Sequence, residues 1–92
     1  MSKLKVAIIT KDKTEYQGEA GALFVPTQTG IIEILPNHTQ LISALKAGEI
    51  IVMVDSSLSS QDTKNLKFKV SGGVLEVRPE SNIVILADLV KE

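Results

Sequence analysis

Leu66-Lys67-Phe68-Lys69-Val70-Ser71-Gly72-Gly73-Val74-Leu75-Glu76-Val77-Arg78 is the stretch that decides the fold. Leu66, Phe68 and Val70 alternate with Lys67 and Lys69; further on, Leu75 and Val77 alternate with Glu76 and Arg78. A period of two puts one set of side chains on an apolar face and the other in water, the mark of a half-buried β-strand. The adjacent Gly72 and Gly73 between the runs predict a bulge or corner, or the close approach of another backbone. They do not form a phosphate loop, because no Gly-Lys-Ser/Thr follows.

The same period extends outward along the chain. Leu4, Val6 and Ile8 alternate with Lys3, Lys5 and Ala7. Three other runs are apolar on both faces: Ala22 to Val25, Ile50 to Val54 and Ile83 to Ala87. Such runs predict strands covered on both sides, by a second sheet within and by another protein without. Turn chemistry separates the runs at Lys11-Asp12-Lys13, Thr27-Gln28-Thr29-Gly30, Pro36-Asn37, Ala47-Gly48 and Pro79-Glu80-Ser81-Asn82. Ser56 to Asn65 reads as a polar hairpin tip and the best place for disorder. Thr39 to Lys46 fits either period: Leu41, Ala44 and Leu45 suit a helical turn, while Leu41, Ser43 and Leu45 suit a strand. Gly48 would limit a helix there to about two turns, so strand is preferred. Many short strands at this spacing predict an all-β, antiparallel sandwich or flattened barrel in one domain, residues 1–92.

Composition restricts the chemistry. The 92 residues contain no Cys, which excludes disulfides and thiolate metal sites, and one His, which excludes a multi-His site within one chain. Ten basic and eleven acidic side chains leave a net charge of −1 with no basic cluster, against a nucleic-acid or anionic-membrane surface. Aromatic residues are only 3%, so the core must be built from Val, Ile, Leu and Ala. Apolar runs such as Ile83 to Ala87 are far below the ~20 residues of a membrane span, and no secretory leader is evident.

The catalytic inventory is thin. His38 is the one side chain whose ordinary pKa lies near neutrality. Ser43, His38 and Asp88 could be assembled into a triad on paper, but any sequence of this size offers such sets. The preferred reading of His38 is a turn residue or a partner contact. Glu33, flanked by Ile31-Ile32 and Ile34-Leu35, reads as the outward position of an alternating strand, or as a polar contact at an interface. No catalytic residue, metal or cofactor is expected.

Two segments together go beyond pattern. Gly30-Ile31-Ile32-Glu33-Ile34-Leu35-Pro36-Asn37-His38-Thr39-Gln40-Leu41-Ile42-Ser43-Ala44-Leu45-Lys46-Ala47-Gly48 is one. Val70-Ser71-Gly72-Gly73-Val74-Leu75-Glu76-Val77, followed by Val84-Ile85-Leu86-Ala87-Asp88, is the other. With Glu15-Tyr16-Gln17-Gly18-Glu19 at the start, the chain resembles the N-terminal domain of the F-type ATP synthase epsilon subunit (delta in mitochondrial naming). Gly30, Ile34, Pro36, His38, Leu41, Lys46 and Gly48 keep that family's order and spacing. Ile31 stands where the family has Glu, Glu33 where it has a later Gly, and Asn37 where it has Gly before His.

The resemblance implies a sandwich of about ten strands on the central stalk of the enzyme. It would couple rotation of the membrane ion-translocating ring to the gamma subunit and so to ATP synthesis, without catalysing anything itself. Gly30, Ile31, Ile32 and Glu33 would face the ring, and His38, Leu41 and Ser43 would face gamma. Gly48, Gly72 and Gly73 serve as structural turns. Membrane association would be peripheral, through the complex, on the cytoplasmic face of a bacterial cell membrane. Family members continue into a helical hairpin that inhibits ATP hydrolysis and in some bacteria binds ATP. This sequence ends at Glu92, so the hairpin and its activities are not expected of it. Two other functions remain open. One is a free-standing sandwich that binds a ligand or another complex, which would show a deep apolar pocket rather than a flat apolar flank. The other is a small hydrolase using His38.

Overall fold

The 64–78 segment folds as one strand rather than two. The computed structural model describes residues 3–54 and 64–90, and its strands are β1 (Leu4–Ile9), β2 (Thr14–Ala20), β3 (Ala22–Thr27), β4 (Gly30–Ile34), β5 (Leu41–Leu45), β6 (Gly48–Val54), β7 (Lys64–Arg78) and β8 (Asn82–Leu89). A single 3-10 turn, Pro79–Ser81, joins the last two. Most of the polar tip expected at 56–65 lies outside the described residues.

Among the described residues there are eight strands, roughly the ten or so expected. The difference is partly in β7, where Ser71 interrupts the pairing but not the strand. Val70 pairs with Leu89 and Gly72 with Asp88, so Ser71 is the extra residue of a β-bulge. A bulge bends a strand without ending it.

The bend organises the molecule. Along one edge of β7, Lys64 to Val70 pair with Val54 to Gly48 of β6, and Gly73 to Val77 pair with Leu45 to Leu41 of β5. The segments β5 and β6 therefore run as one long strand opposite β7, broken at Lys46-Ala47. This ribbon passes from one layer to the other. One layer is β2-β1-β8 with the second half of β7 and β5. The other is the first half of β7 with β6, β3 and β4. Thr27 of β3 pairs with Leu45 of β5 and joins the layers at the corner.

Pairing is antiparallel throughout except between β1 and β8, which run parallel with Val6 opposite Ile83 and Ile8 opposite Ile85. A parallel pair needs a long crossover, and here the chain between the two strands supplies it.

The inward faces meet in a core of Val, Ile, Leu and Ala. Leu4, Ile8, Leu23, Ile34, Ile50, Leu75 and Ile85 are wholly inaccessible to solvent. Burying each such side chain is worth about 1.5–3 kcal/mol. The partly buried Tyr16 and Phe68 pack against this core, their ring centroids 6.2 Å apart.

Candidate functional site

The residues singled out in the sequence lie on two strands and the turn between them. The β3–β4 hairpin closes through Gln28-Thr29, with Thr27 opposite Gly30. The buried Thr27 hydroxyl donates to the Gly30 carbonyl at 2.6 Å, and Gly30 takes a φ of 127°, a region that favours glycine. β4 then lies at the end of the strand order. Its side chains alternate: Ile31 and Glu33 are exposed, Ile32 is half-buried against the core, and Ile34 is fully buried. Ile31, at 73% exposure, has no apolar cover.

The turn that follows, residues 35–38, is built from its sequence. The His38 N–H donates to the Leu35 carbonyl at 3.2 Å, and Asn37 holds a φ of 68°. Proline second and a positive-φ residue third is the type II pattern, and Asn is among the few non-glycine residues suited to it. The half-buried His38 places Nδ1 2.7 Å from the Thr39 carbonyl. A carbonyl only accepts, so Nδ1 is the donor of this bond.

β5 is amphipathic. Leu41 and Ser43 are half-buried and Leu45 buried, while Ile42 and Ala44 point outward. Leu41 packs against the core, and the Ser43 hydroxyl donates to the Ala44 carbonyl at 3.3 Å. Ile42 is 74% exposed.

Ile42 belongs to a larger surface that the sequence did not single out. Cross-strand partners share a face, so Ala44, Val74, Leu86 and Ile9 form one row across β5, β7, β8 and β1. Beside it run Ile42, Glu76, Val84 and Ala7. Beyond them the face turns polar with Arg78, Asn82 and Lys5. Arg78 donates to Glu76 at 3.0 Å, which raises its already high pKa and keeps it charged. The result is an exposed apolar flank with a charged border. Its signal was present as the two-sided apolar run Ile83 to Ala87, but pairing decided which residues stand together.

A cavity of about 790 Å³ lies beside the bulge of β7 at Ser71, where Lys11, Asp12, Lys13, Glu15 and Asp88 line it. Its walls are charged rather than apolar. Ser43, His38 and Asp88 are not brought together as a triad: the Ser43 and His38 bonds run to neighbouring carbonyls, and Asp88 borders the charged cavity. Among the described residues no cluster of His, Cys, Asp or Glu could hold a metal ion. Among them, too, no helix is long and apolar enough to cross a membrane.

A two-layer sandwich with an exposed apolar flank and an exposed terminal strand has the form of a protein-interaction domain. The chain belongs to the family described as ATP synthase, Delta/Epsilon chain, beta-sandwich domain, whose model matches residues 3–92. It is 35% identical over 97 residues to an ATP synthase epsilon chain of Ruthia magnifica subsp. Calyptogena magnifica, spanning 100% of this chain and 65% of that one. It is 38% identical over 88 residues to an ATP synthase epsilon chain of Dehalococcoides mccartyi, spanning 96% of this chain and 57% of that one. The chain thus spans roughly three-fifths of the length of these curated relatives. The fold is shared with a chain of the Euglena gracilis mitochondrial ATP synthase, at a TM-score of 0.84 and 18% identity, over 98% of this chain and 54% of that one. It is shared also with a chain from the central stalk and c-ring structure of the Tetrahymena thermophila mitochondrial enzyme, at a TM-score of 0.75 and 18% identity, over 98% of this chain and 67% of that one.

Proposed function

We propose that this chain is a central-stalk subunit of an F-type ATP synthase and acts as one mechanical unit over residues 1–92. It couples rotation of the membrane ion-translocating ring to the gamma subunit, and so to ATP synthesis in other subunits. It catalyses no step itself. The exposed apolar flank carries this reading: a sheet that presents Ile42, Val74 and Leu86 outward needs a partner surface to cover them. Family membership supplies the class of partner.

In this reading Gly30, Ile31, Ile32 and Glu33 face the rotor ring, and exposed Ile31 and Glu33 make the contacts. His38, Leu41 and Ser43 mark the segment that faces gamma, and Ile42, on the outward face of the same strand, is its exposed anchor. The chain meets the membrane only through the complex, on its cytoplasmic face. No cofactor enters the work.

The test is direct. The chain is mixed with the purified gamma subunit of the same enzyme, and association is followed by titration and gel filtration. A stable complex weakened by Ile42→Asp supports the proposal. No association at micromolar concentration would defeat it.

A further inference from the structure

Among the described residues, three non-glycine residues hold positive φ: Asn37 at 68°, Glu80 at 64° and Ser81 at 61°. They lie in two turns 44 residues apart, and the turns are bonded to each other. The Asn37 backbone N–H donates to the Ser81 Oγ at 2.9 Å. In a type II turn the central amide leaves the plane of the turn, which frees the N–H of its third residue to be gripped from outside. Ser81 is the grip, and it is itself only 8% exposed.

Serine is a poor choice for this backbone on local grounds. The left-handed region strains a residue with a Cβ, and glycine would occupy it freely. Strain of this kind persists where surrounding structure over-determines it, and it gathers at functional sites. The turn that carries Ser81 is braced a second time, because the Asn82 side-chain amide donates to the Pro79 carbonyl at 3.0 Å. A braced turn thus offers one buried hydroxyl to the turn that carries His38.

We propose that Ser81 is a positioning residue. Its hydroxyl clamps the 35–38 turn and so presents His38 and the start of β5 to the partner in one fixed arrangement. The clamp acts through the Asn37 backbone, so the Asn37 side chain is dispensable and the Ser81 hydroxyl is not. This inference rests on the gamma-facing assignment made above.

The experiment compares Ser81→Gly, Asn37→Gly and His38→Ala in the whole chain. It uses amide exchange at Asn37 and titration with the purified gamma subunit. Ser81→Gly relieves the backbone strain, so folding is preserved while the hydroxyl is lost. It speeds Asn37 exchange and weakens gamma binding, each by about fivefold or more, the effect of one lost hydrogen bond. Asn37→Gly keeps the backbone donor and changes neither. Unchanged Asn37 exchange in Ser81→Gly overturns the clamp. Faster exchange with full affinity, while His38→Ala binds weakly, overturns the positioning role alone. Faster exchange with full affinity in both Ser81→Gly and His38→Ala overturns the proposal through the gamma-facing assignment on which it rests.

Discussion

Gly73 has a φ of 152°, and a Cβ there would run into the Leu86 carbonyl oxygen and lie 2.8 Å from the Ala87 Cα. Both obstacles are backbone, so neither can rotate away. Gly73→Ala should therefore lower stability by about 1–3 kcal/mol or more, read as a shift in the urea midpoint. Tyr16 makes a different prediction. Burial pushes its hydroxyl above the ordinary tyrosine value of 10.0, so the folded state favours the neutral phenol. The folded chain then holds a proton that the unfolded chain releases. That stabilisation is complete below pH 10.0 and is lost as pH rises through the folded value. Tyr16→Phe should flatten the alkaline limb of a stability-against-pH curve, and an identical limb in both proteins would contradict it. At this scale the sequence was legible where chemistry is local. Pro36-Asn37 announced a turn, and Gly72-Gly73 announced a bulge or close approach. Ser81 was not legible, because the amide it grips lies 44 residues away and nothing near it predicts the bond.

Elements separate the two jobs of an apolar side chain. Leu75 is wholly buried on β7, while Ile42 on neighbouring β5 is 74% exposed. Leu75→Ala should cost about 2–5 kcal/mol, measured by chemical unfolding. Ile42→Ala should stay within about 0.5 kcal/mol of the parent in the same assay and lose affinity for gamma. A large stability loss for Ile42→Ala would place its side chain in the core. β5 also shows how far period alone reaches. Leu41, Ser43 and Leu45 gave the inward face of a strand, yet Ile42 looked like one more apolar residue in a run. β2 gives no strand signal in the sequence, because Glu15, Gln17 and Glu19 frame Tyr16 and Gly18 and leave no apolar alternation. The mixed polar sequence suits a strand at the end of the order, where it has a neighbour on one side only.

For the whole molecule, the class of fold followed from periodicity, but the pairing did not. Nothing local tells Val6 that it lies beside Ile83, because that choice is made by burial across the full chain. The bent ribbon of β5, β6 and β7 threads both layers, so neither layer can melt alone. Unfolding should be one transition, with far-ultraviolet dichroism and Tyr16 fluorescence giving the same midpoint. Two separated midpoints would mean that the layers are independent. The parallel union of β1 and β8 has a consequence for synthesis. Ile9 and Leu86 stand next to each other on the outer face, yet one belongs to the first strand and the other to the last. A nascent chain emerging from the ribosome carries Ile9 long before Leu86, so the adhesive surface does not exist until the eighth strand is out and seated. On the proposed reading, docking through this flank then waits on the seating of the eighth strand, while the β3–β4 hairpin that carries Ile31 and Glu33 stands whole much earlier.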